Sequence, residues 1–281
     1  MNFLDQIGVL ILTYNEAANI GRTLGALRAF PEIVVLDSGS DDATASIVDG
    51  FANARLVLRP FDEHAKQWNY GLAQCGLTRP WLLALDADYF LPADFVDELS
   101  RLAPPDQISA YRAKFRYCMN GRPLSGALYT PVAVLFRRDR ARYVQEGHTQ
   151  RLVVDGAIAE LKRRIDHDDR KPLGRWLQSQ QRYARLEAAH LIGMRRQNMR
   201  LADRIRLTGW AAPIVVFPYA LIWKRCLFDG WSGWFYVLQR TLAETMIALE
   251  IVNQRLQRQR APLDATSGAT QAPLTDKPRE R

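Results

Sequence analysis

The stretch WLLALDADYFLP, residues 81–92, is a five-residue apolar run that ends on two carboxylates, Asp86 and Asp88, with one alanine between them. Trp81–Leu85 has the length and uniform apolarity of a buried strand. Strand side chains alternate between faces, so residues i and i+2 point the same way. Two carboxylates on one face repel each other unless a cation sits between them. A hard divalent ion such as Mg²⁺ or Mn²⁺ takes oxygen ligands and shares them with substrate phosphates. Asp-x-Asp alone is common in surface loops. Its place at a strand end makes this one a candidate site.

The same rhythm runs upstream. Ile7–Thr13 reads as a strand and Ala17–Phe30 as a helix, then Ile33–Asp37 as a strand and Ala43–Phe51 as a helix. Arg55–Leu58 is a third strand and His64–Cys75 a third helix, before the strand at Trp81. This βαβαβαβ order implies a parallel sheet with helices on its faces, where ligands bind at the carboxyl ends of the strands. Polar clusters fall at those ends: Thr13-Tyr14-Asn15-Glu16, Asp37-Ser38-Gly39-Ser40 and Asp86-Ala87-Asp88. Singly, the first is equally a helix entry capped by Asn15 or Thr13, and the second a turn and cap. Together they form a constellation.

Downstream the pattern changes. Ala93–Leu102 is a short helix, and Ile108–Met119, Asn120-Gly121 and Ala127–Phe136 read as a hairpin. Arg151–Val154, Asp155-Gly156 and Ala157–Ile165 read as another. Pro172–Gln197 is a long Arg-rich helix. Ala211–Trp223 is apolar on nearly every side, yet shorter than the roughly 20 residues of a bilayer span. With Trp231–Val252 it suits amphipathic helices lying in a headgroup layer, or a helical hairpin packed on the domain or on a second subunit.

Residues 1–100 carry 6 Lys/Arg against 14 Asp/Glu, and residues 137–206 carry 18 against 9. An acidic half that holds a cation and a basic half that meets an anionic partner fit that split. No nucleic-acid-binding motif is present, so the basic half is not read as a DNA or RNA surface. Cys75, Cys118 and Cys226 form no metal-finger spacing and fit a reducing compartment. The first residues lack the basic n-region of a signal peptide. The expected place is cytoplasmic, peripheral on the inner face of the cell membrane.

The strings ILTYNEAANI, VVLDSGSDDAT and PWLLALDADYFLP, in this order and spacing, resemble glycosyltransferase family 2, an inverting family with the Rossmann-like GT-A fold. The later YVQEGHTQRL and IDHDDRKPLGRW resemble its bacterial lipopolysaccharide-core β-glucosyltransferase subgroup. The resemblance implies a GT-A domain over 1–170, with a nucleotide-sugar half (1–105) and an acceptor half (106–170). A basic helix (171–208), C-terminal amphipathic membrane-associated helices (209–258) and a disordered tail (259–281) would follow. It implies that Thr13, Tyr14, Asn15, Glu16, Asp37 and Ser38 hold the base and ribose of a UDP-sugar. Asp86 and Ala87 would lie by the ribose and donor sugar, and Asp88 would bind Mg²⁺ or Mn²⁺ beside Asp86, with His167 as a further ligand. Lys66 and Asn69 would stand beside the donor, although both also fit a plain amphipathic helix. Arg170, Lys171, Arg175 and Arg182 would meet phosphates.

Family members often carry the catalytic base in a Glu-Asp pair; here Glu146-Gly147-His148 stands instead. Glu146 is the candidate base, with His148 and Asp155 behind it. Where the subgroup often has an acid after the acidic pair, this chain has Tyr89. The QxxRW signature of processive synthases is absent, which favours one sugar per acceptor. The expected reaction moves a hexose, glucose favoured, to a hydroxyl of a lipopolysaccharide-core or lipid-linked glycan. The rival from another class is a catalytically degenerate, membrane-associated scaffold. Neither the GxGxxG of a dinucleotide enzyme nor the Gly-rich basic loop of a nucleotidyltransferase follows the first strand.

Overall fold

Strand β1 (Ile7–Thr13) sits inside the parallel half and sets its layers. Ile7, Val9 and Ile11 face one side with Ile33 and Val35 of β2 (Glu32–Asp37). α1 (Ile20–Ala26) and α2 (Thr44–Asp49) cover that side through Leu24 and Val48. Leu10, Val34 and Leu36 face the other way, where α3 (His64–Gln74) covers them through Trp68 and Leu72. Both faces are buried, so the strands read as continuous apolar runs rather than alternating ones. With β3 (Ala54–Leu58) and β4 (Trp81–Asp86) the parallel order is β3-β2-β1-β4. The computed structural model of the chain describes residues 2–146 and 149–267, of which Glu146, Thr149 and 259–267 are described as backbone only.

The second half extends this sheet. β5 (Tyr89–Phe90), α4 (Ala93–Ser100), β6 (Ile108–Met119), β7 (Arg122–Pro123) and β8 (Val132–Arg137) follow in the chain. β9 (Ala141–Glu146), β10 (Thr149–Val154) and β11 (Ala157–His167) come next. The sheet continues β4-β8-β6-β11-β5, with β8 antiparallel to both neighbours and β11 parallel to β6. β5 pairs antiparallel with the end of β11, which sets His167 opposite Tyr89, one residue beyond Asp88. The topology therefore delivers His167 to the acidic pair.

The turn at Asn120-Gly121 is present, with φ of 50° and 80°, but it joins β6 to the two-residue β7 rather than to a full return strand. The N–H of Leu128 is taken by the Tyr236 hydroxyl at 2.8 Å, and the N–H of Ser125 by Asp229 at 2.8 Å. Those C-terminal partners hold the segment off the sheet until Val132. The second expected hairpin is overturned. β10 pairs with β9 in a separate two-stranded sheet, and β11 joins the main sheet beside β6. The Asp155-Gly156 step is the crossing point: Asp155 N bonds Arg140 O, while Ala157 N bonds Gln107 O.

α5 (Leu173–Gly193), α6 (Leu201–Leu207) and α7 (Ala211–Pro218) lead into a wider turn over Tyr219–Trp223. The chain then bends, with Arg225 at φ 62°, into α8 (Gly230–Ser267), which runs past the point where sequence alone places a tail. Residues 268–281 lie outside the described residues. α8 and the bend pack on the end of β6 through Tyr236, Val237 and Leu221 against Met119 and Leu124. Arg206 of α6 clasps Glu244 of α8 at 2.8 and 2.6 Å. Among the described residues no single helix is long and apolar enough to cross a membrane. Only the pair bent by 70° at Trp223–Cys226 reaches that length and composition together.

Candidate active site

The three polar motifs meet where β1, β2 and β4 end side by side. Thr13 Oγ1 donates to Asp37 Oδ2 at 2.9 Å across the buried β1–β2 pair. Asp37 also accepts from the N–H groups of Gly39 and Ser40, at 2.9 and 2.7 Å, and from the Ser40 hydroxyl at 2.5 Å. It is 1% exposed and shapes its own loop. Asn15 adopts a left-handed φ of 58°, which Asn tolerates, and is braced by Ser40 and by the N–H of Asp41. Tyr14 stays half exposed beneath the Arg175 guanidinium, 5.9 Å from its ring centre. Ser38 accepts a weak bond from Gln67 at 3.3 Å.

Glu16 turns inward. Its carboxylate accepts from Asn19 Nδ2 at 2.9 Å and from Lys171 Nζ at 2.7 Å. Burial raises its pKa to about 7, against the pull of Lys171. Lys171 also reaches Asp169 at 3.5 Å, and these carboxylates outweigh burial to hold its ammonium above the usual lysine range. Asp88 Oδ2 lies 3.2 Å from His167 Nε2. Burial alone would push Asp88 up, but the imidazolium beside it brings it down to about 2. Asp86 moves the other way, to about 6, through burial and repulsion by Asp88. Two carboxylates two residues apart are thus driven apart in acidity, a pattern that clusters at functional sites.

A divalent ion needs more than this chain's own side chains. Among the described residues no three His, Cys, Asp or Glu side chains form a group able to hold one. The residues fit a shared site instead. Asp86 and Asp88 offer oxygens, and His167 Nδ1, buried with no hydrogen-bond partner, can join them only when the ring gives up a proton. Oxygens of a bound diphosphate would complete the set.

Of the remaining sequence-derived residues, Ala87 is held from behind, its carbonyl accepting from Thr23 Oγ1 at 2.7 Å. Asn69 is spent on the fold: its amide exchanges bonds with the N–H and C=O of Tyr143, at 2.9 and 2.8 Å, and ties α3 to β9. Lys66 is exposed beside Asp62 and Glu63 of its own helix entry. Arg182 lies over Tyr183, whereas Lys171 and Arg175 join the site. The candidate base Glu146 ends β9 with its side chain undescribed, and His148 lies outside the described residues.

Sequence reasoning missed Asn19, Arg22, Tyr117 and Tyr129. Asn19 is fully buried, and its amide spans Glu16 and Asp169 while its oxygen accepts from Arg170 N at 3.0 Å. Arg22 pairs with the buried Asp168, which also holds Arg170 at 2.9 Å and Gly121 N at 3.0 Å. The i, i+3 spacing of Asn19 and Arg22 just after the first motif was the available signal. Tyr89, Tyr117 and Tyr129 enclose His167 with ring centres 5.3, 4.7 and 4.8 Å away. Only the topology joins those tyrosines.

Residues 8–141 match the family described as Glycosyl transferase family 2. A lipopolysaccharide core biosynthesis glycosyltransferase, LpsC, of Rhizobium meliloti (strain 1021) is 33% identical over 149 residues, which cover 49% of this chain and 53% of that protein. An uncharacterized glycosyltransferase of Rickettsia felis (strain ATCC VR-1525 / URRWXCal2) is 29% identical over 115 residues, 40% of each. The chain spans about half or less of the length of these curated relatives. Among solved structures, S. aureus TarS 1–349 in complex with UDP-GlcNAc aligns over 90% of this chain and 92% of that one, at 13% identity and a TM-score of 0.47. All three polar motifs fall inside the matched segment, so residues 8–141, just under half of the chain, form a glycosyl transferase family 2 domain.

Proposed function

We propose that the protein is an inverting, metal-dependent glycosyltransferase that moves a hexose, glucose favoured, from a UDP-sugar to a hydroxyl of a lipopolysaccharide-core or lipid-linked glycan. The observation that carries this reading is the Asp88–His167 pair, set on adjoining strand ends beside Asp86 and the Glu16–Lys171 bridge. Buried charges so close together cost stability and serve the fold poorly, whereas they suit a diphosphate and its cation. The likeness to a lipopolysaccharide core biosynthesis protein, over about half of each chain, supports the acceptor class.

In this reading the loop of Thr13–Glu16 with Asp37 and Ser38 receives the base and ribose, and Asp86 stands by the ribose and sugar. Asp88, Asp86 and His167 would hold Mg²⁺ or Mn²⁺, which when bound supplies charge neutralisation for the departing diphosphate. The Lys171 ammonium adds fixed positive charge at the same place, braced by Glu16 and Asp169. Arg175 covers Tyr14 at the rim. The acceptor hydroxyl attacks the anomeric carbon on the side away from the diphosphate and gives its proton to a carboxylate as the bond forms. Glu146 is proposed for that proton.

Isothermal titration of UDP, GDP and dTDP, each with Mn²⁺ and with EDTA, tests the reading. The expected result is metal-dependent binding of UDP alone. A folded sample that binds no nucleotide in the presence of metal would sink it and leave a degenerate scaffold.

A further inference from the structure

The C-terminal region holds a second set of features that glycosyl transfer does not use. Between α6 and α8 lies a hollow of about 660 Å³ lined by Arg196, Met199, Arg204, Leu207, Thr208 and Arg255. Three arginines and no carboxylate line it. Arg196 and Arg204 make no ion pair among the described residues, and Arg255 is steadied by the carbonyls of Leu207 and Thr208. Such a set suits a phosphate, which guanidinium groups grip through paired N–H bonds.

The hollow adjoins an apolar ridge. Thr208, on its wall, accepts from the N–H of Ala211 at 2.9 Å and so caps the start of α7. From there Trp210, Ile214, Ile222, Trp223, Phe228 and Trp231 stand out of the surface, with Trp223 77%, Phe228 76% and Trp231 89% exposed. Water-facing aromatics of this size and number mark an interaction surface. Positive charge prevails along the ridge. Lys224 and Arg225 sit at the bend, and Asp229, the one acid between residues 209 and 243, is turned to Ser125 at 2.8 and 2.5 Å. Tryptophan with Lys/Arg at one level is the pattern of a bilayer interface, where rings lie among headgroups and cations meet lipid phosphates.

We infer that this face docks on an anionic phospholipid surface, with the Trp210–Trp231 ridge inserted at headgroup depth and the arginine hollow receiving a lipid phosphate. The bend between α7 and α8 makes the ridge a shallow wedge, and the opposite side of α8 stays on the protein through Tyr236, Val237 and Ile251. The inference is independent of the transfer reaction, and its test reads no activity.

The test is co-sedimentation of the full chain with vesicles of phosphatidylglycerol mixed with phosphatidylcholine, against vesicles of phosphatidylcholine alone. The expected result is at least about tenfold tighter binding to the acidic vesicles, weakening from about 50 to about 500 mM salt. Arg196→Glu with Arg204→Glu should remove about tenfold of that preference, and Trp223→Ser with Phe228→Ser should abolish binding to both vesicle types. Circular dichroism and melting temperature establish that the variants are folded, and the salt series on the unaltered chain decides the matter if a variant is not. Three results overturn the inference. One is an unaltered chain that stays in the supernatant. Another is equal, salt-insensitive binding to both vesicle types. The third is a dimer in sedimentation velocity that Trp223→Ser disperses, which would give the ridge to a second copy.

Discussion

Around the ends of β4 and β11 the molecule buries charge; around the bend between α7 and α8 it exposes apolar surface. In the first region Glu16, Asp86, Asp88, His167 and Lys171 crowd together inside the protein. In the second, Trp223, Phe228 and Trp231 face outward. Each inverts the usual arrangement, and such inversions carry more information than the ordinary core does. They also differ in kind. A buried cluster of both signs suits an anion with its cation, whereas an exposed aromatic ridge needs a surface to lie on.

The sharpest way to break the comparison is to remove charge from the first region. Asp88→Asn keeps the volume and deletes the carboxylate that faces His167. With a glucosyl donor built on the nucleotide that titration identifies, and with Mn²⁺, transfer is expected to fall about 10³-fold while the fold persists. Activity above about a tenth of the original would make Asp88 a structural acid and remove the reason to set the two regions apart.

The next effect follows from Glu16. Its pKa is raised by burial from 4.5 to about 7, so the folded state binds this proton more tightly than the unfolded chain does. The stability it contributes is full below pH 4.5 and is lost as pH rises through about 7. Across that window the chelator-treated protein should lose about 3 kcal/mol, seen as a falling melting temperature. Asp86, raised to about 6 by burial and repulsion from Asp88, acts with the same sign at lower pH. Glu16→Gln should therefore flatten the slope chiefly between about 6 and about 7. A slope in that interval identical in Glu16→Gln would place the responsible proton elsewhere.

The two regions also differed in how far the sequence disclosed them. β1 to β4 were legible because each is a short apolar run bounded by a turn and followed by a helix, and their polar ends fall in register. His167 could be suspected from its position after a strand. Its pairing with Asp88 depends on β11 lying parallel to β6, a contact some 50 residues distant in sequence. That pairing was hidden by Asp155-Gly156, which looks like a hairpin turn locally but carries the chain between two sheets. The partner of Asn69 was hidden for a different reason. An amide on a helix face looks available until Tyr143 of β9 takes both ends of it. The exposed tryptophans were countable in the sequence, while their outward direction belongs to the packing of α8 on β6.

A smaller effect probes how the second region is held on the first. Gly233, in the first turn of α8, passes so close to the carbonyl of Cys226 that a Cβ would run into that oxygen. Gly233→Ala must shift backbone against backbone and should cost about 2 kcal/mol, read from the midpoint of urea unfolding. No change would mean that the bend has slack, and the wedge shape of the ridge would then not be built in.

The smallest effect is expected at Lys66, where resemblance and geometry disagree. By resemblance Lys66 stands beside the donor. In the structure its ammonium is 3.9 Å from Asp62 and 3.7 Å from Glu63, and the side chain is 60% exposed. Exposed pairs of that length contribute about 0.5 kcal/mol or less, so Lys66→Ala should leave the melting temperature nearly unchanged. A lysine held by its own helix entry has no part in the charge cluster, and the donor KM should stay within about twofold of the original. A rise of about tenfold in KM with unchanged stability would show that Lys66 swings to the diphosphate when the donor binds. The buried cluster would then extend to α3, and the line drawn here between residues that hold the donor and residues that hold the fold would have to move.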